Sequence, residues 1–174
     1  MSKKLIISGT NRPNSNSLKV SEAYYESLVN MGEDCELLNL EDLPHSFVFS
    51  DAFGERSEEM ETIIQECIIP ADHFIFVIAE YNGGFPGVLK AFLDCLPPSI
   101  LHHKKASLVG LSSGHAGGLR ALDQMTNVLH YLKVSVHYAK PKFSGIDAMI
   151  SQEGELNDLI RSKIDEHAKD LVLF

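Results

Sequence analysis

A chain of 174 residues, 44% hydrophobic and 22% charged, suits one domain over residues 1–174 and excludes a disordered chain or a coiled coil. Its net charge of −9, offset by no basic stripe, argues against nucleic acid or an anionic membrane as a partner. No apolar run approaches the roughly 18 residues of a membrane span, and Met1-Ser2-Lys3-Lys4 leads into a short strand rather than a signal peptide, so a cytoplasmic protein is expected.

Residues 3–8 read as a first strand, followed by a polar loop over 9–17 and a helix over about 18–31 that stops at Gly32. A second strand covers about 35–40 and ends at Glu41-Asp42-Leu43-Pro44, after which an irregular surface loop is expected to about residue 54. An acidic helix over about 57–68 sets Met60, Ile63, Ile64 and Cys67 on one face and leaves Glu58, Glu59 and Glu61 to water. Phe74-Ile75-Phe76-Val77-Ile78 is an unbroken apolar run, the makeup of a strand buried on both faces of a parallel sheet. The stretch after it turns sharply at Gly83 and Gly84, which let a ligand approach the backbone, and Pro86 opens a helix that ends at Pro97-Pro98. A fourth strand at about 106–111, a glycine-rich loop at 112–118 and a helix over about 119–132 follow. A fifth strand at about 134–138 and a last helix over about 155–171 complete the chain.

Five strands alternating with helices specify a parallel sheet with helices on both faces. The expected fold is α/β, a flavodoxin-like three-layer sandwich with strand order 2-1-3-4-5, whose ligands bind beyond the strand ends at the switch between strands one and three. The loops at 9–17 and 79–87 flank that crevice, with 112–118 beside them. Cys35, Cys67 and Cys95 form no Cys-x-x-Cys pair and read as reduced thiols, and the eight histidines show no metal-ligand spacing, so no metal is expected.

The first loop has the parts of a phosphate site. Thr10, Ser15, Asn16 and Ser17 carry side-chain donors, the following helix presents free amides and the positive end of its dipole, and Arg12 can meet two phosphate oxygens. The same residue types also make ordinary turns and helix caps.

Three motifs in order carry a family resemblance. Gly9-Thr10-x-Arg12-x-x-Ser15, then Glu80-Tyr81-Asn82 with Pro86-Gly87 and Leu89-Lys90, then Ser112-Ser113-Gly114-His115-Ala116-Gly117-Gly118-Leu119-Arg120-Ala121 span most of the chain. Together they resemble the NADPH-dependent FMN reductases, relatives of chromate, quinone and azo-dye reductases. The resemblance implies FMN as cofactor, NADPH or NADH as reductant and a small-molecule electron acceptor. It assigns the FMN phosphate to Thr10, Arg12, Ser15, Asn16 and Ser17, and the flavin ring to Glu80, Tyr81, Asn82 and Gly83. Ser112, Ser113, Gly114, His115, Gly117 and Gly118 fall beside the pyrimidine end. With a flavin bound, amides of the 80–83 segment serve the polar rim and the Tyr81 ring forms a wall, although Tyr81 also fits a half-buried aromatic at a strand end. His115 fits a flavin contact or a solvated loop residue, and the glycines fit plain turns. No acid, base or nucleophile from the protein is required, since a flavin carries the chemistry itself.

The resemblance also implies a homodimer or homotetramer through the helices after strands three and four, and Val88, Phe92, Leu122, Met125 and Leu129 fit either that interface or a core contact. Ala79, Gly84 and Cys95 depart from the family's usual proline, serine and tryptophan, and the missing serine hydroxyl is worth about 1 kcal/mol if it made a contact. Three rivals differ in class: a flavodoxin-type electron carrier, whose phosphate loop lacks the arginine; a phospho-acceptor receiver domain, whose acidic pocket Ser8 and Ala79 do not supply; and a flavin-free binding module of the same fold.

Overall fold

A computed structural model of the chain describes residues 2–53 and 55–174; Met1 and Gly54, within the predicted start and at the end of the predicted loop, lie outside the described residues. Four strands, β1 (Lys4–Ser8), β2 (Cys35–Asn39), β3 (His73–Ala79) and β4 (Lys105–Ser112), pair in parallel, and two short strands, β5 (Ser135–Val136) and β6 (Lys142–Ser144), share the place beyond β4. The order β2-β1-β3-β4-β5 is the expected flavodoxin-like one. Around the sheet lie α1 (Asn16–Asn30), α2 (Phe47–Ser50), α3 (Glu58–Ile63), α4 (Gly87–Cys95), α5 (Leu119–Tyr131) and α6 (Asp158–Leu173).

Strand periodicity creates the layers. Ile6, Ile75, Val77, Val109 and Leu111 point to one face and pack with Val20, Tyr24 and Leu28 of α1 and Ile160, Ile164 and Leu171 of α6. Their neighbours Leu5, Ile7, Phe74, Phe76, Ile78 and Leu108 point to the other face, against Met60, Leu89, Phe92, Met125 and Leu129. Each fully buried side chain of this size contributes about 1.5–3 kcal/mol, so both faces of every central strand must be covered. Phe92, Leu122, Met125 and Leu129 are thus spent inside the chain, on the core alternative, while Val88 is half-buried.

Four expectations change. The fifth strand at 134–138 is two strands: His137 N–H donates to Ala106 C=O and Gly110 N–H to Pro141 C=O, while the chain between leaves the edge and rejoins it at Pro141, which has no N–H to give a ladder. The loop expected after Pro44 is not loose, because it carries α2 and buries Phe47 and Asp51, and just before it a 3-10 turn (Leu40–Asp42) leads into Leu43, with Leu40 and Leu43 buried. The helix from Ser57 continues past α3 into a π turn, Ile64–Ile68, closed by Ile69 N–H to Ile64 C=O at 2.9 Å. The wider turn brings Ile68 into the core with Met60 and Ile64, leaving Ile63 and Cys67 half-buried. The last helix begins at residue 158 because Asn157 caps it, accepting from Ile160 N–H, and Leu156 is engaged in a bridge with Ile150.

At the amino ends of the strands His73, His137 and His167, all buried, gather around Phe174. His73 Nε2 lies 2.9 Å from Ser107 Oγ and His167 Nδ1 lies 2.9 Å from Tyr24 Oη. Burial first, then the charges of Lys4 and Lys105, pushes the His73 imidazole down to about 3; burial and His137 push His167 down to about 4. Among the described residues no helix is long and apolar enough to cross a membrane.

Candidate functional site

At the opposite, carboxyl edge, the turns after β1, β3 and β4 meet a fourth after β6 around a cleft of about 250 Å³. Each turn places its residues for a local reason.

The first turn leads into α1. Ser15 is its N-cap, with extended backbone and a side-chain oxygen that accepts from Leu18 N–H at 3.1 Å. The cap leaves the first-turn amides of Asn16 and Ser17 without an intrahelical acceptor, facing the positive end of the dipole outward. Ser17 is 1% exposed, and its Oγ is buried without a hydrogen-bond partner although it lines the cleft. Arg12 stands exposed at the rim. Thr10 sits beneath the cleft, fully buried, with its hydroxyl 2.9 Å from Tyr81 Oη and accepting from Arg12 N–H at 3.3 Å. It orders the site rather than lining it.

The second turn is a hairpin. Tyr81 N–H donates to Gly84 C=O at 2.9 Å and Gly84 N–H to Tyr81 C=O at 3.0 Å, around Asn82 at φ 51 and Gly83 at φ 79. Two successive left-handed residues in a two-residue loop make a type I′ turn, the setting that favours Asn-Gly. The glycine pair therefore serves the turn, and Gly84 also makes room for a neighbour, since a Cβ there would lie 2.8 Å from Gln124 Oε1. The expectation that amides along the whole 80–83 segment face a ligand is corrected by the bonding. Glu80 N–H is spent on Leu111 C=O and Tyr81 N–H on the hairpin, so the amides at the tip are those of Asn82 and Gly83. Glu80 lines the cleft, as Tyr81 does, and also ties the hairpin to the next helix. Its carboxylate accepts from Arg120 N–H at 3.1 Å and pairs with Arg120 Nη1 at 2.9 Å, putting a negative charge on the first turn of α5. Gln124 Nε2, one turn along, holds Gly83 C=O at 3.2 Å.

The third turn divides. Ser112 and Ser113 line the cleft. Gly114 and His115 are exposed and outside its lining; Gly114 C=O accepts from Ser112 Oγ and from Gly145 N–H, and His115 C=O accepts from Ser144 Oγ. Gly117 and Gly118 are buried outside the cleft's lining, and packing alone requires glycine there. At Gly118, with φ 84, a Cβ would lie 2.8 Å from Leu111 N and 3.0 Å from Gly110 Cα, so the glycine lets α5 start pressed against β4.

The fourth turn went unread in the sequence. Gly145, at φ 62, reverses the chain into a 3-10 turn (Ile146–Met149). Ile146 is buried beneath the cleft and Asp147, exposed at its mouth, accepts from Asn16 Nδ2 at 2.8 Å. Its signal was Gly-Ile-Asp at the carboxyl edge of a parallel sheet, but with the final strand placed at 134–138 this turn fell too far from the strand end. The cleft thus holds the guanidinium of Arg12, the carboxylate of Asp147, a ring of hydroxyls and helix amides, and an orphaned hydroxyl at its base. That donor set fits a phosphate monoester.

A sequence model of the family described as NADPH-dependent FMN reductase matches residues 2–143. An NADPH azoreductase from Bacillus sp. (strain OY1-2) is 28% identical over 134 residues, 77% of this chain and 72% of that protein. An NAD(P)H-dependent FMN reductase from Saccharomyces cerevisiae (strain ATCC 204508 / S288c) is 42% identical over 65 residues, 37% of this chain and 32% of its own. Among solved structures, the apo form of an NADH:FMN oxidoreductase superposes with a TM-score of 0.82 at 21% identity, over 99% of this chain and 89% of that one, a likeness of fold.

Proposed function

Since the chain belongs to the NADPH-dependent FMN reductase family, we propose that it holds FMN at this cleft and passes reducing equivalents from NAD(P)H to a small acceptor in ping-pong order. The observation that carries the reading is the Ser17 hydroxyl, buried without a partner at the base of a cleft already furnished with helix amides and Arg12. Burying a hydroxyl unpaired costs about 1–3 kcal/mol, which a phosphate oxygen would recover.

When bound, FMN supplies the two-electron chemistry, accepting hydride from NAD(P)H and yielding it to the second substrate. The residues supply binding and orientation. Ser15, Asn16 and Ser17 offer hydroxyls and amides to the phosphate, and Arg12 closes over it from the rim. The cleft, at about 250 Å³, is smaller than the roughly 300–1,000 Å³ of a whole ligand site, so it suits the phosphate and ribityl end and leaves the ring on the adjacent hairpin. There the Asn82 and Gly83 amides would serve the ring's polar rim. Ser112 and Ser113 flank it, and Thr10 fixes Tyr81 by its hydroxyl. The Glu80–Arg120 pair and Gln124 hold the hairpin to α5, and such orientation is worth several kcal/mol of barrier, up to about 7–11 in the best intramolecular cases.

The acceptor we infer is a quinone, free flavin, azo dye or metal oxyanion, and the protein a cytoplasmic homodimer or homotetramer. The test is anaerobic. Protein loaded with FMN should bleach on addition of NADPH and recover its colour with a quinone or azo dye; a protein that takes up no FMN at saturating concentration would refute the reading.

A further inference from the structure

Asp147 brings a negative charge to the part of the cleft best suited to a dianion. Its place is built, since Ile146 is anchored in the core and Gly145 turns the chain so that the carboxylate reaches the first residue of α1. The amide it occupies, Asn16 Nδ2, belongs to the residue before Ser17, whose hydroxyl is buried and unpartnered, and both residues line the cleft. Of the cleft's other charged residues, Glu80 is neutralised by Arg120, whereas Asp147 has no lysine or arginine partner among the described residues. Arg12 is therefore offset nearly one for one, in a chain whose net charge is already −9.

The geometry points to Asp147 as the residue that sets how tightly, and how selectively, the cleft holds phosphate. Its carboxylate occupies the Asn16 amide, where a phosphate oxygen would otherwise be held; phosphate binding there requires Asn16 to change partner and the two anions to stand side by side. Phosphate affinity is held down, while a ligand ending in a neutral hydroxyl pays no such penalty. A flavin nucleotide bound on these terms exchanges readily instead of being retained through many turnovers. The inference rests on reading the cleft as a flavin-phosphate site. Asp147 itself lies beyond residues 2–143, the part matched by the family model.

The test is to titrate wild-type protein and Asp147→Asn with FMN and riboflavin by flavin fluorescence, and with inorganic phosphate by thermal shift, at low and high salt. The substitution is isosteric at an exposed position and leaves an acceptor for Asn16. Expected is about ten-fold tighter binding of FMN and of phosphate, riboflavin unchanged within about two-fold, and a gain that shrinks as salt rises. Equal tightening of riboflavin, no change, or weaker binding of both flavins would overturn the role, the last by showing that the carboxylate accepts from ribityl hydroxyls. A gain for phosphate with no flavin binding to either protein would sustain Asp147 and sink the flavin reading.

Discussion

Lowering the pH from 7 to 5 should weaken the fold through His73 and His167, far from the cleft. Both imidazoles are held below their ordinary 6.5, His73 at about 3 and His167 at about 4, chiefly by burial. With the folded value beneath the unfolded one, the stability contributed by the neutral form is complete above about 6.5 and drains away as the pH falls toward the folded values. For each histidine the unfolded chain at pH 5 is almost fully protonated and the folded one almost not at all, a loss of about 2 kcal/mol between pH 7 and 5. The pair together costs about 4 kcal/mol, against a typical total of about 5–15. Groups facing them modulate the loss: Lys4 and Lys105 oppose protonation of His73, while Asp170 favours it at His167 and His137 opposes it at both. Urea unfolding at the two pH values measures the effect, and the slope of stability against pH near 5.5 should correspond to about two protons taken up on unfolding. Wild-type protein equally stable at pH 7 and 5 would refute the reasoning, as would a His73→Gln, His167→Gln variant that loses as much as wild type.

Two further outcomes test the site. Arg12→Ala should weaken FMN binding about 10- to 100-fold by fluorescence titration, the worth of a charged hydrogen bond, with an unchanged far-ultraviolet circular dichroism spectrum; full flavin occupancy after that change would contradict its role. Gly118→Ala combines a left-handed φ of 84 with a Cβ 2.8 Å from Leu111 N, so the urea midpoint should report a loss of about 2–5 kcal/mol, and a loss under about 1 would show that α5 can move off β4.

What the sequence showed well was whatever repeats at short range. The apolar run of β3 and the helical spacing of Leu122, Met125 and Leu129 fixed elements, and their alternation implied a parallel sheet, whose strand order came with the flavodoxin-like resemblance. Long-range relations were hidden. Glu80 reads as a ligand residue until its partner Arg120, 40 positions on, is beside it. Asp147 meets Asn16 across 131 positions, and no local pattern announces the contact. The break in the fifth strand had one mark, Pro141, set outside the expected strand. Leu40, Leu43 and Phe47 were obscured because charged and polar residues interrupt them, with neither strand nor helix period.

The hairpin at 81–84 is stapled from outside, by Arg120 and Gln124 on consecutive turns of α5. Arg120 has a side chain 65% exposed, and neither residue belongs to the lining of the cleft. On the proposed function, editing one accessible stripe of α5 would shift the hairpin without changing Arg12, Ser15, Asn16 or Ser17. The tilt of the hairpin and the make-up of the phosphate loop can thus vary independently, because different stretches of the chain set them.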